Sequence, residues 1–159
     1  MITVSILTVS DSAAAGKRED LSGPALRARC DDLGWQVVHQ RTVSDNADEI
    51  KERLAAWSDG KACRLILTTG GTGVALRDVT PEATRAVIDR EIPGLEEMIR
   101  FEGRKHTKFA VLSRGITGTR GETLIVNLPG SPKGAMESLD AIRDLIPHVL
   151  DLLAGKTEH

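Results

Sequence analysis

Apolar runs of strand composition alternate along this chain with segments of helical spacing, and that alternation restricts the fold more tightly than any single residue does. Ile2 to Val9 is an unbroken β-rich run, long enough for a strand buried on both faces, and it stops at Ser10-Asp11-Ser12. A polar loop from Ser12 to Asp20 follows. Ser22-Gly23-Pro24 then opens a helix carried by Leu26, Cys30 and Leu33 and ended at Gly34. Trp35 to Val43 reads as the second strand. Asn46-Ala47-Asp48-Glu49 has capping-box chemistry, and Ile50, Leu54 and Trp57 supply the buried stripe of the helix behind it. Leu65 to Thr69 is a short strand that runs straight into Gly70-Gly71-Thr72-Gly73. Thr80-Pro81-Glu82 opens a helix with Ala83, Val87 and Ile88 on its inner face, and Pro93-Gly94 separates it from another over Leu95 to Phe101. Lys108 to Leu112 and Glu122 to Leu128 are the last expected strands, with a loop from Ser113 to Gly121 between them. Ser131-Pro132 caps a long C-terminal helix carrying Ala135, Leu139, Ile142, Ile146, Val149 and Leu153, kinked or broken at Pro147. The expected architecture is an α/β fold, a doubly wound and mostly parallel sheet with helices on both faces. No repeat or linker divides residues 1–159 into more than one domain.

Composition excludes several function classes. With 40% hydrophobic residues in 159, the chain can build a core without staples. Its 21 Lys and Arg against 23 Asp and Glu leave a net charge of −2, which argues against a general polyanion binder. Trp35, Trp57, Phe101 and Phe109 are the only aromatic residues, and there is no Tyr, so a stacking platform for nucleic acid is not expected. Cys30 and Cys63 have neither the number nor the spacing of a zinc site or a disulfide framework and read as buried apolar residues. No stretch reaches the ~18 apolar residues of a membrane span and the N-terminal run lacks a basic flank, so no membrane partner and a cytoplasmic location are expected.

In a right-handed parallel fold, every loop that follows a parallel strand leaves the same edge of the sheet, where ligands bind. Ser10 and Asp11, Asp45, the Gly70 to Asp78 segment and the Asn127 to Lys133 segment are therefore expected around one crevice. Gly70 to Gly73 exposes backbone N–H groups with no Cβ in the way, which suits a phosphate or carbonyl group and equally suits a plain turn. It has neither the Gly-Lys-Ser/Thr of a Walker A loop nor dinucleotide-binding spacing. Leu128 to Gly134 opens a helix whose dipole favours an anion, with Lys133 adding charge, or is an ordinary capped turn. Asp45 and Asp78 lie in separate strand-end loops and can share one Mg²⁺ ligated mostly by water and phosphate. The alternatives are helix capping by Asp45 beside Asn46 and a turn role for Asp78. Arg77, Lys105, Arg114 and Arg120 are candidates for phosphate contact or for simple solvation, and His106 reads as a surface or supporting residue. No nucleophile is paired with a base, which favours chemistry by positioning and metal electrostatics.

Five motifs in order carry a resemblance: Thr-Val-Ser-Asp at 8–11, Thr-Thr-Gly-Gly-Thr-Gly at 68–73, Arg-Asp-Val-Thr-Pro-Glu-Ala at 77–83, Leu-Ser-Arg at 112–114 and Asn-Leu-Pro-Gly-Ser-Pro-Lys at 127–133. With them the chain resembles, over nearly its whole length, the MogA/MoaB family of molybdenum cofactor biosynthesis, and most closely its molybdopterin adenylyltransferase members. That resemblance implies transfer of AMP from ATP to the terminal phosphate of molybdopterin, with Mg²⁺ required and pyrophosphate released, and delivery of the product to a molybdate-inserting partner protein. It implies catalytic and Mg²⁺-associated roles for Asp45 and Asp78, the latter in the clearer motif. Ser10, Asp11, Gly70, Gly71, Thr72 and Gly73 match the family's nucleotide- and phosphate-contacting loops. Ser113, Asn127, Pro129, Gly130 and Ser131 match the surroundings of the pterin and its link to the nucleotide. The family's assemblies imply a homotrimer, or a hexamer. Related domains bind molybdopterin without evident adenylyl transfer, so a non-catalytic pterin-binding module is the competing class, against which the paired aspartates speak. With so few rings in the chain, adenine and pterin are expected to be held by backbone groups, aliphatic walls and close main-chain approach.

Overall fold

In the first strand, β1 (Thr3–Val9), Val4 and Ile6 face one way and Leu7 and Val9 the other, and all four are buried, so helices must cover both faces. The computed structural model, which describes residues 1–158, shows how this is done. A single helical turn, α1 (Asp11–Ala14), leads to α2 (Ser22–Asp32), β2 (Gln36–Val43), α3 (Ala47–Asp59) and β3 (Leu65–Thr69). Then come α4 (Thr80–Val87), a short β4 (Arg90–Glu91), α5 (Pro93–Gly103), a 3₁₀ turn (Lys108–Leu112), β5 (Thr117–Arg120), β6 (Thr123–Leu128), α6 (Pro132–Ile142) and α7 (Ile146–Leu153). The sheet order is β2-β1-β3-β6-β5-β4, with β2, β1, β3 and β6 parallel and β5 antiparallel to both of its neighbours. The expected mostly parallel, two-sided sheet is what forms.

Strand periodicity divides the core cleanly. Val4, Ile6, Leu65, Leu67, Leu124, Val126 and Leu128 pack with Leu26 and Cys30 of α2, Leu95 and Ile99 of α5, and the apolar stripes of α6 and α7. Leu7, Val9, Ile66 and Ile125 pack on the other face with Ile50, Leu54 and Trp57 of α3 and Ala83 and Val87 of α4. Cys30 and Cys63 are free and buried as expected, and burial pushes the Cys30 thiol up to about 12. No helix among the described residues is long and apolar enough to cross a membrane.

Three local expectations need correction, and a fourth is met. The polar stretch after Ser10 opens with α1, because the Ser10 hydroxyl accepts the Ala13 N–H (3.2 Å). Lys108–Leu112 is a 3₁₀ turn and not a strand: the Thr107 hydroxyl accepts the Phe109 N–H (3.3 Å), and Phe109, Val111 and Leu112 are left exposed. The loop expected from Ser113 to Gly121 contains β5, which escapes sequence patterning because Gly118 interrupts it. A Cβ there would stand 2.6 Å from the Arg90 carbonyl oxygen, so the bare glycine lets β4 pair closely. The C-terminal helix breaks between Ile142 and Ile146, and Pro147 lies in the first turn of α7, where its missing N–H costs nothing.

Candidate active site

From β1 the chain winds outward to β2 and then returns to the opposite side of β1 as β3, so the loops after β1 and β3 part at their carboxyl ends. A cleft of about 380 Å³ opens there. Of the residues singled out in the sequence, Ser10, Asp11, Asp45, Gly70, Gly71, Asp78, Gly130 and Ser131 line it.

Two glycine turns form one wall. Gly70 and Gly71 have φ of 99° and 68°, and a Cβ at Gly70 would collide with the Val9 carbonyl oxygen, one at Gly71 with the Thr80 hydroxyl. Gly130 comes so close to this turn that its own Cβ would stand 3.3 Å from Gly70 Cα. The two turns are sewn together by Thr69 Oγ1 donating to the Pro129 carbonyl (2.7 Å) and Gly70 N donating to the Leu128 carbonyl (3.2 Å). Thr80 Oγ1 closes the back of the wall by donating to the Gly70 carbonyl (3.0 Å). Ser131 caps α6, its hydroxyl accepting the Gly134 N–H (3.1 Å).

The aspartates form the other wall. Asp11 N donates to Asp45 Oδ2 (3.0 Å) and Asp45 N donates to Asp11 Oδ1 (2.8 Å), a reciprocal clasp between the ends of β1 and β2. Asp45 is thus not the cap of α3; Asn46 is, accepting from Asp48 N and Glu49 N (3.0 and 3.1 Å). Burial raises the Asp45 carboxyl above its ordinary range, and the charges of Asp11 and Asp78 add to this, against the Asp11 N–H and the Arg77 charge. Asp78 accepts the Ala75 N–H (3.0 Å) and leans over Gly73, whose Cβ would lie 2.8 Å from Asp78 Oδ2.

Thr72, Gly73, Ser113, Asn127 and Pro129 do not line the cleft. Asn127 shares the parity of Ile125 on β6 and so faces α4. There its Nδ2 donates to Thr68 and Thr84 (3.0 Å each) and its Oδ1 accepts the Ile116 N–H (3.2 Å). Thr72 is buried, Pro129 offers its carbonyl to Thr69, and the Ser113 hydroxyl accepts the Gly115 N–H (3.3 Å). Among the basic candidates, Arg114 is bound to Glu82, Arg120 to Asp59 and Lys105 to Glu102, each at 2.9 Å; only Arg77 reaches the cleft.

Sequence reasoning missed Arg18 and Asp20. Asp20 Oδ2 accepts from Thr8 Oγ1 (2.8 Å), and Oδ1 accepts the Gly23 N–H (3.0 Å), so this carboxylate starts α2 and fixes one end of the cleft. The acid followed three residues on by Gly-Pro was the available signal. Arg18 carried none beyond its charge. The lining includes no aromatic ring, as the composition led us to expect, and sets the carboxylates of Asp11, Glu19, Asp20, Asp45 and Asp78 against only Arg18 and Arg77. Polyanions enter such a cleft only with cations. Asp45 and Asp78 fit Mg²⁺: they are hard oxygen donors, and the upward pressure on Asp45 is what a cation would relieve. No group of three or more His, Cys, Asp or Glu among the described residues is placed to hold a metal ion.

Comparisons with known proteins identify the family. Residues 5–148 match a family model described as a probable molybdopterin binding domain. The molybdopterin adenylyltransferase of Helicobacter pylori J99 is 42% identical, over 97% of this chain and 89% of its own. The molybdenum cofactor synthesis protein cinnamon of Drosophila melanogaster is 45% identical over 96% of this chain, which spans about a quarter (26%) of that longer relative. The crystal structure of the molybdopterin biosynthesis enzyme MoaB of Thermus thermophilus superposes with a TM-score of 0.92, at 50% identity and 98% coverage of both chains. A family match over most of its length, with such relatives across nearly all of it, makes this chain a member of the molybdenum cofactor biosynthesis family built on that molybdopterin-binding domain.

Proposed function

We propose that this protein is a molybdopterin adenylyltransferase, which transfers AMP from ATP to the terminal phosphate of molybdopterin. An oxygen of the phosphate monoester bonds to the α-phosphorus of ATP, the bond from that phosphorus to the oxygen bridging the β-phosphate breaks, and pyrophosphate leaves with the electron pair. The attacking phosphate is already anionic near neutral pH, so alignment and charge neutralisation are the main demands. The observation that carries the reading is the meeting of two stacked glycine turns with Asp45 and Asp78 in one cleft whose lining has no His, Cys or Lys to serve as nucleophile or base.

In this reading Ser10, Gly70, Gly71, Gly130 and Ser131 present hydroxyls and main chain to the phosphates, and Arg18 and Arg77 supply positive charge. Asp45 and Asp78 would hold Mg²⁺, which when bound screens the crowded phosphate oxygens. Asp11 orients Asp45 through the clasp, and Pro129 braces the glycine turns through the bond its carbonyl accepts from Thr69. As such an enzyme the protein would work in the cytoplasm, with residues 1–159 acting as one domain, and would pass the adenylylated pterin to a molybdate-inserting partner. It also takes the assembly to be a homotrimer or hexamer, which the exposed Met98, Phe101, Phe109, Val111 and Leu112 support. The test is incubation with molybdopterin, ATP and Mg²⁺. Adenylylated pterin and pyrophosphate are the expected products; pterin binding without AMP transfer would select a non-catalytic binding module instead.

A further inference from the structure

The loop that carries Asp78 has little of its own to hold it. Val74 and Leu76 at its tip are exposed, and its internal bonds are the pair between Ala75 and Asp78. What ties it down comes from far along the chain. Arg114 N donates to the Thr72 carbonyl (2.8 Å), Arg114 Nε to the Gly73 carbonyl (2.8 Å) and Nη2 to the Asp78 carbonyl (2.8 Å). The rest of the guanidinium grips both carboxylate oxygens of Glu82 at 2.9–3.0 Å. Every nitrogen of the side chain is thus engaged, none of it toward the cleft. The fork fits because guanidinium is planar and rigid, which an ammonium group cannot copy.

We infer that Arg114 and Glu82 form a strap that sets the position of Asp78, making Arg114 a positioning residue and not a phosphate ligand. What Asp78 then does rests on the adenylyl-transfer reading. The pair is exposed on one side, so its contribution to global stability is small. Its effect is local: without it the 73–78 segment opens independently of the core.

The experiment compares the full-length protein with Arg114→Lys and Glu82→Gln, reading both steady-state kinetics and hydrogen exchange at the Asp78 and Thr80 amides without substrate. Those amides donate to the Ala75 and Gly71 carbonyls (3.0 and 3.1 Å) and report loop order directly. The strap predicts exchange about tenfold faster or more in both variants with little change in unfolding temperature. It predicts kcat lowered about tenfold or more with KM for ATP within about twofold, because misplacement harms the aligned state and not binding. The double variant is expected to be no worse than Arg114→Lys alone, since both changes break one device. A phosphate ligand predicts the reverse: Arg114→Lys keeps most of its activity, and Glu82→Gln, by releasing the guanidinium, lowers KM for ATP. Either of those results, or unchanged exchange, overturns the strap. If the wild-type protein makes no adenylylated pterin, the proposed function fails, and the exchange comparison still decides the strap.

Discussion

Asp45 shows at the scale of one residue how a site can cost the fold something. Its carboxyl is pushed up by burial and by the neighbouring carboxylates Asp11 and Asp78. An acid whose pKa is raised on folding binds its proton more tightly in the native state, so its contribution to stability is full below the ordinary carboxylate range and is lost as pH rises through the raised value. At neutral pH the ionised side chain is therefore held against a preference for being neutral. Asp45→Asn removes the charge and keeps an oxygen to accept the Asp11 N–H. We expect this variant to unfold at pH 7 no lower than wild type, with any gain gone below the ordinary carboxylate range, where the wild-type carboxyl is itself protonated. Adenylyl transfer should fall by ~10²-fold or more through lost electrostatic stabilisation. Thermal melts at pH 7 and below that range and a pyrophosphate-release assay check both halves; a clearly lower unfolding temperature at pH 7 would show that the carboxylate is held for stability.

Elements explain which parts of this site were legible beforehand. Strand-end loops gather at one edge whatever their side chains, so Asp11, Asp45, Gly70, Asp78 and Gly130 follow from the order of apolar runs alone. Asn127 belongs to a strand and not to the loop after it, and one residue of parity turned its side chain to α4, where Thr84 holds it. Arg114 was legible as a cation but not as a buckle, because its partner Glu82 is distant in sequence and nothing periodic links them. The 3₁₀ turn at Lys108–Leu112 has strand composition but no neighbour to pair with, whereas β5 has a neighbour but a glycine at its centre. The β3–α4 turn offers a test at this scale. Gly71→Ala places a Cβ against the Thr80 hydroxyl and 3.3 Å from Asp45 Oδ1, at a backbone angle that side chains resist. We expect a loss of about 1–3 kcal/mol and a fall in activity beyond that loss. Gly121→Ala is the control: φ is also positive, at 57°, but a Cβ there meets open space, so only the conformational cost of about 1 kcal/mol applies and activity persists. Equal losses at both positions would mean that backbone strain, and not the Thr80 contact, governs the turn.

At the scale of the whole molecule, the distribution of large apolar side chains is uneven. The interior uses both faces of the sheet fully, yet Met98 and Phe101 of α5 and Phe109, Val111 and Leu112 of the 3₁₀ turn remain exposed. They lie on packed neighbours, since Gly103 at the end of α5 comes close enough to Ala110 that a Cβ would stand 2.9 Å from its methyl. Phe101 and Phe109 are half of the four aromatic residues in the chain, so a sequence that could spare few rings spends two on its surface. Arg104 stands 4.6 Å from the Phe101 ring centroid and Lys108 5.6 Å from that of Phe109, which covers them only in part. Isolated exposed apolar residues are ordinary, but a run of five within fifteen positions is a patch that association would bury. If the proposed self-association uses it, Phe109→Glu will shift the sedimentation of the native protein from oligomer to monomer and leave the sheet intact by circular dichroism. Mass action adds a second reading of the same event: the wild-type unfolding temperature will rise with protein concentration, and that of Phe109→Glu will not. A wild-type protein that sediments as a monomer at every concentration would free this patch from any role in assembly, and a variant that stays oligomeric would move the interface elsewhere on the surface.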